Sequence, residues 1–243
     1  ARMRPEKLEE VVYAKAESEQ WKLYQAYTAR LRSMIASQSE SEVKTNKLEI
    51  LAGLTRLRQL CCDPALVYED YKASAAKLEV CLEIVENAVA SDHKILIFSQ
   101  FTTMLERISA ALHKKDISHF TLTGATPKAT RADMVKRFQS DDTKVFLISL
   151  KAGGTGLNLT AADIVIHFDP WWNMAAQNQA TDRVHRIGQK NMVTVYKLIM
   201  KNSIEEKILK LQENKMQLAD QIISGEGMSS ADMSKEELIE ILS

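Results

Sequence analysis

No stretch of this 243-residue chain stays apolar for long. The cleanest runs, Ile95 to Phe98 and Val145 to Ile148, fall far short of the roughly 18 to 20 residues a bilayer span needs, which excludes a transmembrane helix. Net charge is also lacking, because 32 Lys and Arg cancel 32 Asp and Glu. Bulk charge therefore names no partner, and any affinity for nucleic acid must come from local clusters. Cysteine is scarce: Cys61, Cys62 and Cys81 form no C-x-x-C pair and no even framework, which points to a reducing compartment and against structural zinc or any other metal site. The opening residues, Ala1 to Glu10, are charged and carry no apolar segment with a small-residue cleavage site, so no signal peptide is expected. Without an initiator Met, a fragment of a longer chain is expected. What is present, 45% apolar and 26% charged residues, is ordinary for a globular protein with a sizeable core and excludes disorder, collagen and an acidic tail.

Periodicity divides the chain. Ser18 to about Ser37 repeats Trp21, Tyr24, Tyr27, Leu31 and Met34 at helical spacing. Lys44 to Cys61 does the same through Leu48, Leu51, Leu54 and Leu57, until Asp63-Pro64 ends it. A third helix is expected over about Ser74 to Val89. From Lys94 short apolar runs alternate with amphipathic stretches. Strands are expected at 95–98, 119–122, 145–149, 164–168 and 193–198, with helices between, one of them opening at Pro127 behind a Thr126 cap. Five strands with helical crossovers predict an α/β fold, a parallel sheet with helices on both faces. A helical segment precedes it, and a long helix follows from a Ser203/Glu206 capping box to about Ile223. The boundaries expected are 1–73, 74–202, 203–223 and 224–243, the last a linker and short helix whose removal would cost little.

Four segments carry candidate chemistry. Ser149 to Leu159 follows an apolar strand, and Gly153, Gly154 and Gly156 would let backbone amides approach a phosphate. A tight strand-to-helix turn explains the same glycines, and the loop is neither a Walker A loop nor a dinucleotide fingerprint. In Gln179 to Gln189, Arg183 and Arg186 stand three apart, so a helix presents both on one face toward an anion, or else toward solvent and Asp182. Asp169-Pro-Trp-Trp-Asn173 places Trp171 and Trp172 on opposite sides of an extended segment, one of them free to stack or both packing helices. Between Lys114 and Arg137 lie six Lys and Arg, a cationic stretch able to track a phosphate backbone or merely to face solvent.

In order and spacing, Ile95 to Phe101, Leu122 to Thr126, Ser149 to Leu159, Phe168 to Asn173 and Gln179 to Gln189 resemble the motifs of the second RecA-like lobe of Swi/Snf-type DNA translocases, members of helicase superfamily 2. The resemblance runs from about Leu54 to Ile222. It departs from the family at Thr123, where Asp is common, and at Met174, where Pro is common.

The resemblance implies residue roles. Arg183 and Arg186 match paired arginine fingers, and Gln179 a residue that couples the nucleotide site. Gly154, Gly156 and Asn158 shape a loop linked to the nucleotide. Ser149, Lys151 and Gly153 match contacts to the tracked DNA strand, joined by Trp172, Gln100, Thr123, Gly124 and Lys128. ATP and Mg²⁺ would be held mainly by an N-terminal ATPase lobe of the same polypeptide, since no Walker A loop or Asp-Glu-x-His box occurs in these residues. The implied partner is double-stranded DNA, in a bacterial nucleoid or a nucleus, and the chain alone would be inactive. The rival expectations are a non-catalytic nucleic-acid-binding or interaction module and an RNA helicase lobe.

Overall fold

Six strands form one sheet: Lys7–Ala14 (β1), Ile95–Ser99 (β2), His119–Leu122 (β3), Val145–Ser149 (β4), Ile164–His167 (β5) and Val193–Met200 (β6). Their order is β1-β6-β5-β2-β4-β3. The structure is a computed structural model and describes residues 6–150, 152, 157–170, 174–182, 189–214 and 233–243. β2 lies central, with Ile95 opposite both Val145 and Ile164 in parallel register. β3 pairs with β4, and β5 with β6, in the same sense. At the far edge, Val193 N donates to Glu6 O and Lys201 N to Ala14 O. The equal sequence offset at both ends makes this pairing parallel too. Every residue of β2, β4 and β5 is buried, as expected where helices cover both faces of a parallel sheet.

The chain forms two units, one from Ala1–Tyr13, Leu78–Asp169 and Ala176–Ile199, the other from Ala14–Lys77, Pro170–Ala175 and Met200–Ser243. In the sheet unit, Thr102–Lys114 buries Met104, Leu105, Ile108 and Leu112 from one face. Phe138 meets Phe146 edge to face at 5.2 Å. Lys94 Nζ donates to the carbonyls of Phe138 and Asp141, each at 2.5 Å, and so satisfies the C-terminal end of the helix Lys128–Ser140.

The helical unit contains Ser18–Ala36 (α1), Glu40–Thr45 (α2), Lys47–Cys62 (α3), Ile204–Asn214 and Lys235–Ile241. Its core gathers Tyr24, Leu31, Leu54, Leu57, Leu60, Ile204 and Ile208. Gly53 brings α1 and α3 close, because a Cβ there would stand 2.7 Å from Leu31 Cδ1. Lys77 and Glu205 form an ion pair of 2.7 Å with both side chains fully buried. Glu205 Oε1 also accepts from Met200 N at 2.8 Å, so both carboxylate oxygens are used, as a buried charge requires.

Several expectations change. β1 is a sixth strand that the sequence reading lacked. As an edge strand, half exposed and rich in Glu, it shows no buried run to detect. Thr126 does not cap the helix after it. Its Oγ1 accepts from Thr123 N instead, and the helix begins at Lys128. The Ser203/Glu206 box is displaced: Ser203 Oγ accepts from Glu205 N, while Glu206 accepts from Asn202 N, whose φ of 60° turns the chain into the helix. That helix is described to Asn214, and its continuation to Ile223 lies outside the described residues. The last helix is no dispensable tail, because Leu238, Ile241 and Leu242 are buried in the helical core. The expectation that removing everything after Ser224 costs little is therefore corrected, since each such side chain contributes about 1.5 to 3 kcal/mol when fully buried.

Candidate functional site

Parallel strands all deliver their C-terminal ends to one edge, where loops can converge. At that edge Asp169 is fully buried just beyond β5 and organises the end of β2. Ser99 Oγ donates to Asp169 Oδ1 at 2.5 Å, and Gln100 N donates to Oδ2 at 3.1 Å. Ser99 Oγ in turn accepts from Phe101 N, and Ser99 O accepts from Leu150 N at the end of β4. Ser149 Oγ accepts from Ala152 N at 3.3 Å, just past the end of β4. Three strand ends are thus joined by the Asp169 carboxylate and by the hydroxyl and carbonyl of Ser99. Sequence reasoning passed over Ser99 and Asp169 as site-shaping residues. The available signal was a polar residue closing each fully apolar run.

His167 is the last residue of β5 and is fully buried, stacked on Phe98 with ring centroids 5.6 Å apart. Burial first, then the Lys197 and Lys7 charges, pull its pKa down to about 3. A neutral imidazole pairs through Nε2 with Thr181 Oγ1 at 3.0 Å, tying β5 to the helix Met174–Asp182. On that helix Ala180 and Thr181 are buried while Gln179 faces solvent. Gln189, at the far end of the same motif, is an anchor: its Nε2 donates to the carbonyls of Thr160 and Ala162. Gln139 holds the other side of that loop through Thr160 Oγ1 and Ala161 N. Asn158 stands exposed on it.

Beyond β3, Thr123 Oγ1 accepts from Ala125 N, and Gly124 projects into open space. Lys128, Arg131 and Lys136 line a hollow of about 730 Å³ together with Thr126 and Leu157. Among the described residues none of these three cations has a carboxylate within ion-pair distance. Others of the cationic stretch are engaged: Lys115 pairs with Glu86, and Arg137 lies between Asp133, Asp141 and the Phe120 ring. Of the candidate residues, Gln100, Ser149, Thr123, Gly124, Lys128, Asn158 and Gln179 are thus placed within the sheet unit. Lys151, Gly153, Gly154, Gly156, Trp172, Arg183 and Arg186 lie outside the described residues.

A parallel sheet of this order, with its loops gathered at the strand C-termini, defines a RecA-like lobe of the helicase class. Residues 76–188 match the helicase conserved C-terminal domain. The Sulfolobus solfataricus SWI2/SNF2 ATPase C-terminal domain superposes with a TM-score of 0.80 at 34% identity, covering 98% of this chain and 100% of that one. The ATPase core of the same organism, solved in complex with double-stranded DNA, gives a TM-score of 0.82 at 36% identity over 98% of this chain and 50% of that one. An ATP-dependent helicase of Mycoplasma pneumoniae, itself uncharacterized, is 35% identical over 98% of this chain. The chain spans 23% of that relative's length. The chain belongs to the SWI2/SNF2 ATPase family and corresponds to its C-terminal lobe.

Proposed function

We propose that this chain is the second ATPase lobe of an ATP-driven double-stranded DNA translocase or remodeller, supplying arginine fingers and backbone contacts and inactive by itself. The observation that carries the reading is the anchoring of the helix Met174–Asp182. The His167–Thr181 bond fixes it against the end of β5 with Gln179 exposed, so that Arg183 follows directly in sequence. Lys128, Arg131 and Lys136, which meet no carboxylate among the described residues, supply a local cationic surface that a chain of zero net charge needs for phosphate contact. ATP is the substrate of the two-lobed enzyme, and Mg²⁺ is assigned to the other lobe. Among the described residues no three His, Cys, Asp or Glu side chains cluster as a metal site, and Asp169 already accepts a hydrogen bond on each oxygen. Gln179, Arg183 and Arg186 would act across the cleft, stabilising charge that develops on the transferred phosphoryl group.

The test is turnover and nucleotide-free DNA binding in the full-length enzyme. Arg183→Ala or Arg186→Ala should lower DNA-stimulated ATP hydrolysis by about 10³ to 10⁵, the range for an arginine finger. Lysine should rescue poorly, because it keeps the charge and loses the planar fork. DNA affinity without nucleotide should hold. Turnover that survives while DNA binding falls would move both arginines to the DNA path.

A further inference from the structure

The opposite edge of the same sheet, where the strands begin, carries a second polar constellation. Asp163 immediately precedes β5, His93 lies just before β2, and Asn191 just before β6. The Asp163 side chain is only 7% exposed. Its Oδ2 accepts from His93 Nδ1 at 2.8 Å and from Asn191 Nδ2 at 3.3 Å. Its Oδ1 is buried with no hydrogen-bond partner among the described residues. Leaving a buried acceptor unpaired costs about 1 to 3 kcal/mol, and more when it is charged, so such an atom calls for an explanation. The Asp163 residue borders a hollow of about 730 Å³, with His93 and Asn191 also in its wall alongside Ile84, Ala88 and Met192, and Oδ1 lies buried behind that wall.

We propose that this hollow receives an arginine side chain presented by a protein partner, with the guanidinium forking onto both oxygens of Asp163. The His93 side chain is 43% exposed and now occupies one of those oxygens as a single donor. It can turn to water at little cost, which leaves Oδ2 with the Asn191 amide as its remaining donor and a second acceptor site free, so that Oδ2 and the Oδ1 that meets no donor among the described residues match two parallel N–H groups. A phosphate or carboxylate ligand is excluded by the buried Asp163 charge. A metal ion is disfavoured because no cluster of three ligating side chains exists among the described residues. Ile84, Ala88 and Met192 offer an apolar wall for the methylene stem of the arginine. Met192 is half exposed, so apolar surface is available for the residues flanking that arginine. Lys190 also lines the hollow. Its charge opposes a loosely held cation, so the site selects direct bidentate pairing over diffuse attraction. The hollow belongs to the edge opposite the strand C-termini, and the proposal does not rest on the ATPase assignment.

The experiment titrates the full-length protein into a fluorescently labelled, end-blocked pentapeptide with one central arginine in alanine, read by anisotropy. Saturable binding is expected. The lysine version should bind roughly tenfold or more weakly, the loss of one charge-assisted hydrogen bond, and the norleucine version should not bind. Asp163→Asn should abolish the arginine preference. His93→Ala should tighten binding, because the competing donor is gone, and this outcome keeps the idea testable should the aspartate variant not fold. Absence of saturable binding, equal affinity for the norleucine peptide, an unchanged preference in Asp163→Asn, or weaker binding by His93→Ala would each overturn the proposal.

Discussion

Asp163 and Asp169 bracket the same four-residue strand, both nearly or fully buried, and their surroundings differ in kind. Asp169 has a donor on each oxygen, a serine hydroxyl and a backbone amide that cannot move away without breaking the end of β2. Among the described residues Asp163 has both its donors on one oxygen, from side chains on loops, and none on the other. A carboxylate with a donor from its own fold on each oxygen is a strut. One that keeps an oxygen in reserve beside a hollow is able to take a ligand. The contrast sets the two edges of the sheet apart: at the C-terminal edge the ends of β2 and β5 are bonded to one another, and at the N-terminal edge one carboxylate oxygen meets no donor among the described residues.

The largest effect expected of this strand is on acid stability, and it comes from His167 between the two aspartates. Its folded pKa of about 3 lies below the ordinary 6.5. Below pH 6.5 the unfolded chain takes up a proton that the folded chain refuses, so stability falls as the pH drops from 6.5 toward 3, by up to about 1.4 kcal/mol per pH unit. The full loss is on the order of 5 kcal/mol. Urea unfolding between pH 7 and 4 should show this slope, and His167→Gln, which retains an amide for Thr181, should lack that part of it. An unchanged slope in the variant would mean that the ring is solvated and that the anchoring of the Gln179 helix is looser than described.

Next in size is Asp169→Ala. It strips the acceptor from the Ser99 hydroxyl and the Gln100 amide, each costing about 1 to 3 kcal/mol when buried and unpaired, for a loss of roughly 4 kcal/mol. The midpoint of denaturant unfolding should drop accordingly. If the loss is under about 1 kcal/mol, the strand ends are held by packing alone and the strut reading fails.

Much of this was readable in the residues. The central strands declare themselves as uninterrupted apolar runs, because both faces of a parallel sheet are covered, and α1 and α3 show helical spacing of large apolar side chains. β1 did not show, since an edge strand buries one side only and its glutamates mask the alternation. The terminal helix was undervalued because a Gly/Ser-rich segment before it reads as a linker, whereas its value lies in Leu238, Ile241 and Leu242 meeting residues far away in sequence. Motif order singled out Gln100, Ser149 and Gln179 as candidates. It could not supply the Ser99–Asp169 bond or the His167–Thr181 bond, because each joins residues whose proximity exists only after the sheet has formed.

The smallest effect, and the one that most sharpens the contrast, is expected from Asp163→Ala. His93 is half exposed and regains water when its acceptor disappears. Asn191 still has its backbone amide held by Gln189 Oε1 at 3.1 Å, so the loop before β6 keeps its anchor. The variant also removes a buried oxygen that has no donor, a gain that offsets part of the lost hydrogen bonds. Net destabilisation should therefore stay within about 1 kcal/mol, well below that of Asp169→Ala measured in the same urea titration. A loss as large as that of Asp169→Ala would make Asp163 a second strut. The open oxygen would then be a tolerated defect of the fold, and the N-terminal edge would lose its claim to a ligand.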